Sequence, residues 1–330
     1  MMTMKRLISI IICISLTLTL CSCGRGLKRF EKSFLDVFDT ASTVIAYDTD
    51  SASFEKHYTV FHNMLMRYHN LFDIYASHDG MVSLKDVNER AARAPVKVDA
   101  SLFRLLAYGK EVYTLTNGAV NICMGSVLAV WHTYREEGTR LPDETLLHEA
   151  AKHCDIDDMI LDSENATVFF KDSKMSLDVG AIAKGYAAQQ MMKIAGERFG
   201  WDSMLLNLGG NISTSGLKPD GTKWNVQIEN PRGGAALDTL SVTDTAVVTS
   251  GDYQRYYEVN GKRYCHIIDP QTLLPAEHFT SVSIICEDAA LADALSTALF
   301  ILPLDEGKKI ADRLGVKAVW ADKNGAVTKM

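Results

Sequence analysis

Apolar residues recur at helical spacing over 54–72, where Phe54, Tyr58, Phe61, Leu65, Tyr68 and Phe72 share one face, so this stretch predicts an amphipathic helix. A second helix is expected after Asp99 and Ser101, running through Leu102, Leu105 and Leu106 and stopping at Asn117-Gly118. Pro142-Asp143 opens a short helix reaching about Cys154. Ile182, Ala183, Tyr186, Ala187 and Ile194 mark another over 180–199, and two more cover 289–302, ended by Pro303, and 304–314. Between them lie alternating or apolar runs expected as strands: 34–38 and 42–47 as a bent pair, 167–170, 204–208, 224–229, 237–242, 246–249 and 281–286. Asn260-Gly261, between 253–259 and 263–268, is the strongest hairpin signal, and 316–320 with 326–329 predicts a last hairpin. The order is mixed α+β, with largely antiparallel sheets and packed helices rather than a regular βαβ alternation.

The first segment follows a different pattern. Lys5 and Arg6 precede an apolar run over 7–21, which has the layout of a secretory signal and is too short for a comfortable membrane span. It ends in Leu20-Cys21-Ser22-Cys23-Gly24, similar to a bacterial lipoprotein box with Ser22 before the lipidated Cys23. An ordinary cleaved signal is the plainer alternative. The expected organisation is a signal peptide over 1–22, a lipidated N terminus and exposed tether over 23–33, and one domain over 34–330. The expected location is the membrane, by a lipid anchor, facing away from the cytoplasm.

Composition narrows the function classes. The 330 residues are 47% hydrophobic and 23% charged, near the globular average, which excludes a disordered chain. Net charge is −7, and removal of Lys5 and Arg6 with the signal makes the mature form more acidic, so no electrostatic footprint for nucleic acid remains. Of the seven cysteines, Cys123, Cys154, Cys265 and Cys286 lie beyond the anchor; they show no CxxC spacing and are expected as buried thiols.

Four clusters carry candidate chemistry. In Asp178-Val179-Gly180-Ala181-Ile182-Ala183-Lys184-Gly185-Tyr186, a strand is expected to end at Asp178 and a helix to start after the turn. A helix N terminus with Lys184 in its first turn suits an anion, although this is no Walker A loop. Asn207-Leu208-Gly209-Gly210-Asn211 places paired glycines at a strand end, allowing close backbone approach. Thr249-Ser250-Gly251-Asp252-Tyr253 is followed across the hairpin by His266-Ile267-Ile268-Asp269-Pro270, whose histidine suits proton transfer or anchoring. Asp293-Ala294-Leu295-Ser296-Thr297 sets a carboxylate and a hydroxyl at i and i+4, hard oxygen donors suited to Mg²⁺. Each alone also has a plain structural reading: a turn, a bulge, a core histidine, an Asp–Thr hydrogen bond within the helix. Together they point to a Mg²⁺-assisted reaction at a phosphate.

This set, in this order, resembles the ApbE family of FAD:protein FMN transferases, whose pattern D-x-G-x-x-A-K-G-Y stands at 178–186. N-L-G-G-N stands at 207–211, T-S-G-D-Y at 249–253, H-I-I-D-P at 266–270 and D-A-L-S-T-A at 293–298. Weaker matches are Asp39-Thr40, Asn88 and Gly118-Ala119-Val120-Asn121. The resemblance implies an ApbE-like fold that binds FAD as substrate and Mg²⁺ at its pyrophosphate. A Thr or Ser hydroxyl of an acceptor protein would then attack the FMN phosphorus, with AMP leaving. It implies Asp293, Thr297 and the Ala181 carbonyl as metal ligands. Tyr75, Ala119, Val120, Asn121, Asp178, Lys184 and Ile267 would contact the cofactor, and His266 with Asp293 would be catalytic. The expected acceptor is a membrane or exported redox protein. Three positions depart from the family: Asn121 stands for an Asp, Leu273 for a Gly, and Phe38 precedes Asp39-Thr40 where Met-Gly-Thr is common. Alternatives are an FAD pyrophosphatase using water, and a non-catalytic flavin- or solute-binding lipoprotein.

Overall fold

The computed structural model describes residues 26–330; the expected signal segment and Cys23 lie outside them. Its centre is an eight-stranded sheet in the order β1-β2-β6-β7-β10-β13-β14-β15, antiparallel at every pairing. The strands are β1 (Lys28–Phe34), β2 (Ser42–Asp48), β6 (Met204–Leu208), β7 (Asn211–Ser215), β10 (Thr245–Gly251), β13 (Phe279–Cys286), β14 (Lys317–Asp322) and β15 (Val327–Lys329). Side chains alternate between its faces, as the period of a strand dictates. Ala246, Val248, Ile284, Ala318 and Trp320 join the main core, under helices α1 (Ser51–Phe72), α6 (Ala183–Phe199) and α7 (Ala289–Ile301). Their neighbours Val247, Ile285 and Val319 face the other way and are covered by a hairpin of β8 (Trp224–Ile228) and β9 (Asp238–Val242).

The remaining elements build the walls of the site. Helices α2 (Leu84–Arg90) and α3 (Ala100–Leu115) pack near α1, and a small sheet joins β3 (Val96–Lys97), β5 (Thr167–Phe170) and β4 (Met159–Asp162). Asp99 caps α3 as its sequence predicts, its side chain accepting from Ser101 N–H. Helices α4 (Gly125–Glu137) and α5 (Glu144–Ala151) pair with each other, and α8 (Leu304–Leu314) follows α7. Strands β11 (Tyr256–Val259) and β12 (Lys262–Cys265) form the expected hairpin, with φ of 52° and 75° at Asn260 and Gly261, the turn that matches strand twist.

The structure corrects several expectations. Residues 28–33, expected as tether, form β1: Lys28, Arg29, Glu31 and Lys32 make it a charged edge strand, a pattern that guards a sheet edge and masks the strand in the sequence. No strand ends at Asp178. The segment before it is extended but makes only one bridge, Ser176 to Met124, and is held by Asn88, whose side chain bonds Leu177 N–H at 2.8 Å and Leu177 C=O at 3.0 Å. All four described cysteines are free thiols, and Cys286 is half-buried rather than buried. Among the described residues no helix is long and apolar enough to cross a membrane.

Candidate active site

The site forms where α6 begins. Asp293, 4% exposed on α7, accepts the Gly185 N–H through Oδ2 at 2.7 Å. A Cβ on Gly185 would stand 2.3 Å from both the Ala289 carbonyl oxygen and Asp293 Cβ, so only glycine lets the two helices approach this closely. The bond diverts the Gly185 N–H from the carbonyl four residues back, and among the described residues the Ala181 C=O accepts no hydrogen bond. Gln189 Oε1 accepts the Ala289 N–H at 2.8 Å as a second tie between the helices.

Burial pushes the Asp293 carboxyl up from its usual range, while Lys184, the Gly185 N–H and Asn211 favour the charged form. Asn211 lies at the start of β7, after the Gly209-Gly210 turn; it is buried, and its Nδ2 lacks a well-formed hydrogen bond. Thr297 follows one turn along α7, with its Oγ1 3.5 Å from Ser250 Oγ, which also bonds Ser296 Oγ at 2.8 Å. The Asp293–Thr297 hydrogen bond of the plain reading does not form; Asp293 faces α6 and Thr297 faces β10. Among the described residues no three His, Cys, Asp or Glu side chains converge. A cation here would rest on one carboxylate plus hydroxyl and backbone oxygens. That donor set fits a hard divalent ion, which would also offset the cost of burying Asp293.

Beside this lies a cleft of about 360 Å³ lined by Asp39, Tyr75, His132, Arg135 and Arg255. Tyr75 is 63% exposed, with its ring 5.6 Å from His132. Its backbone is pinned by Asp73, which accepts the Tyr75 and Ala76 N–H groups at 2.7 and 3.1 Å. Arg135 and Arg255 make no salt bridge among the described residues, although Arg232 and Arg263 do. Burial raises the Asp178 carboxyl, and the Gly180 N–H, His132, Arg135 and Arg255 oppose that shift. An acidic chain thus places two unpaired guanidinium groups in one cleft, which favours an anionic ligand.

His266 sits on the same side. Its N–H and Nδ1 both reach the Arg255 carbonyl, at 3.1 and 3.0 Å. A carbonyl only accepts, so Nδ1 carries the proton and Nε2 holds the free lone pair. Burial lowers the imidazole pKa to about 4, against the Arg255 backbone bond, and Arg255, Lys184 and Arg135 lower it further, so His266 is neutral at pH 7.

Other expected contacts are placed differently. The Ala119, Val120 and Ile267 side chains are buried in the main core, and Ile267 C=O accepts Ala276 N–H at 2.8 Å. Asn121 spends its amide on backbone, with Nδ2 on Cys154 C=O at 2.8 Å and Oδ1 on Cys123 N–H at 2.9 Å. None of these four is among the residues lining that cleft. Leu273 adopts the left-handed conformation with φ 61° and is buried. Sequence reasoning missed His132, Arg135, Arg255, the place of Asp39 in the cleft wall, and the contacts of Ser250 and Asn211. The last two lie inside quoted motifs, but their partners are distant in sequence.

A model of the ApbE family matches residues 38–320. The chain belongs to the ApbE family. It is 38% identical over 236 residues to a Treponema pallidum protein named FAD:protein FMN transferase, a match spanning 67% of this chain and 65% of that protein. A Haemophilus influenzae protein of the same name is 29% identical over 336 residues, covering 99% of this chain and 96% of its own length. The crystal structure of the ApbE protein of Thermotoga maritima superposes with a TM-score of 0.83 at 29% identity, covering 92% of this chain and 97% of that one. The mixed, largely antiparallel ApbE fold expected from the motifs is the one observed.

Proposed function

We propose that this ApbE-family protein transfers FMN from FAD to a Thr or Ser hydroxyl of an acceptor protein, forming a phosphoester and releasing AMP. The carrying observation is the 2.7 Å bond from Gly185 N–H to Asp293, which brings the turn with Lys184 and the oxygen donors of α7 to one point beside a cationic cleft. Asp293, Thr297 and the Ala181 carbonyl would hold Mg²⁺. When bound, Mg²⁺ supplies charge neutralisation at the pyrophosphate. Lys184, Arg135 and Arg255 bind phosphate oxygens, Tyr75 offers a stacking face, and His266 Nε2 accepts the proton of the attacking hydroxyl. The FMN phosphorus gains the acceptor oxygen and loses the oxygen leaving with AMP.

The lipobox-like sequence ending at Cys23 supports membrane anchoring by lipid outside the cytoplasm, and an acceptor that is itself a membrane or exported redox protein. The test mixes protein, FAD, Mg²⁺ and flavin-acceptor domains and reads intact mass. One FMN added per acceptor is expected. Steady release of AMP and free FMN with every acceptor left unmodified would replace the transferase by an FAD pyrophosphatase.

A further inference from the structure

The turn that carries Asp39 is strained and held from two sides. Phe38 and Asp39 both have positive φ, 54° and 50°, a left-handed conformation that is costly for Phe38 and better tolerated by Asp39. The Phe38 N–H donates to His69 Nδ1 at 3.2 Å, and its ring lies 6.5 Å from Phe72 and edge-on to His69 at 5.7 Å. On the other side, Thr40 abuts Gly209 so closely that a Cβ there would come 2.0 Å from Thr40 Oγ1. Gly209 N–H also donates to Ala41 C=O at 3.2 Å. Backbone strain fixed by its surroundings is a mark of functional sites.

What this turn delivers is a carboxylate to the cleft wall, alongside Tyr75, His132, Arg135 and Arg255. Asp39 is exposed, and among the described residues its side chain makes no ion pair or hydrogen bond. The cleft therefore combines an open aromatic face, two unpaired guanidinium groups and one unpaired group that only accepts hydrogen bonds. For a ligand that is anionic throughout, Asp39 is repulsive. For a ligand with phosphates at one end and a ring bearing N–H donors at the other, it is complementary.

We propose that Asp39 is a specificity-determining residue, its carboxylate accepting a hydrogen bond from an N–H on the edge of the heteroaromatic ring stacked on Tyr75. This rests on the flavin transferase reading, since it takes FAD as the ligand. FAD offers such a donor at either end, the imide of its isoalloxazine or the amine of its adenine.

The experiment compares the parent protein, Asp39→Gly and Asp39→Asn by titration calorimetry with FAD, riboflavin and ADP, alongside thermal melting. Glycine removes the carboxylate and suits the left-handed backbone, so Tm holds or rises by up to ~3 °C. FAD then binds about tenfold more weakly. Asparagine tolerates the left-handed backbone and keeps an acceptor oxygen, so its loss is about threefold. The loss should fall on FAD and on one fragment: riboflavin if the imide is the donor, ADP if the amine is. Unchanged or tighter FAD binding by Asp39→Gly overturns the assignment, as does a loss shared equally by both fragments. A parent protein that binds none of the three overturns the flavin reading, and the assignment with it.

Discussion

The indole Nε1 of Trp131 donates to the backbone carbonyl of Leu273 at 2.8 Å, in a buried contact that spans 142 positions of sequence. Trp131 lies on α4, the helix that also presents His132 and Arg135 to the cleft. Leu273 closes the turn that follows His266: its N–H bonds Asp269 C=O at 2.8 Å, and Asp269 N–H returns to Leu274 C=O at 2.9 Å. Trp131 and Leu273 also share a small core with Val127, Leu147, Tyr257 and Ile268, separate from the main one. This second core joins the two walls of the cleft. Burial of Leu273 and the Trp131 bond offset a left-handed backbone that disfavours leucine by roughly 1–2 kcal/mol.

Replacing Trp131 by Phe keeps an aromatic ring in this core and removes the donor. The Leu273 carbonyl is then buried without a partner, at a cost of about 1–3 kcal/mol. We expect a lower Tm and, through a loosened cleft, a several-fold rise in KM for FAD with a smaller change in kcat. Steady-state kinetics and melting check both; an unchanged KM would confine Trp131 to a stabilising role.

Asp293 is the side chain on which the metal reading stands. Asp293→Asn keeps an oxygen for the Gly185 N–H and so preserves the fold, but removes the one carboxylate charge available to a cation there. Transferase activity should fall by about 100-fold or more, with loss of Mn²⁺ binding by electron paramagnetic resonance and little change in Tm. Retained turnover would remove Asp293 from the chemistry.

Much of this was legible beforehand, for a definable reason. Helices with a clean apolar stripe, such as the one carrying Phe54, Phe61 and Leu65, and the Asn260-Gly261 hairpin declare themselves locally. Strand β7 does not: Asn211, Ser213 and Thr214 are polar yet buried in the sheet, so the pattern reads as a loop. Helix α4 hides because its N-cap, Met124, offers no side-chain cap, and its buried Val127, Trp131 and Tyr134 are diluted by polar neighbours. Arg135 and Arg255 were missed for the same reason. Nothing in a linear sequence marks a surface arginine as unpaired, and these two meet only through tertiary packing. By contrast Asp293, Lys184 and His266 each lie in a short motif and converge as those motifs imply.

Gly185 gives a test of the helix crossing itself. Gly185→Ala places a methyl group 2.3 Å from Ala289 O and Asp293 Cβ, both on buried helical backbone or close to it, so α6 and α7 must separate. Overpacking of this kind costs about 1–3 kcal/mol. The bond from Gly185 N–H to Asp293 should lengthen, and metal-dependent activity should fall further than the loss in Tm alone explains. An alanine variant with parental activity and Tm would show that the helices can part without cost to the site.

His266 sets the acid side of the pH profile. An ordinary imidazole is half protonated near pH 6.5, but burial and the neighbouring Arg255, Lys184 and Arg135 lower this one to about 4. As the base, His266 works when neutral, so kcat/KM, which reports the free enzyme, should stay level as pH falls from 7 to about 5 and decline only near 4. Stability runs with the same sign. Between pH 6.5 and 4 the unfolded chain takes up a proton at this position that the folded chain refuses, so this group's contribution to stability is lost as pH falls through that window. His266→Gln should lower kcat by about 10²–10⁴-fold and remove the acid limb. It should also flatten the pH dependence of Tm in that window. An acid limb near 6.5 in the parent would mean that the catalytic base is another group or that His266 is open to water during turnover.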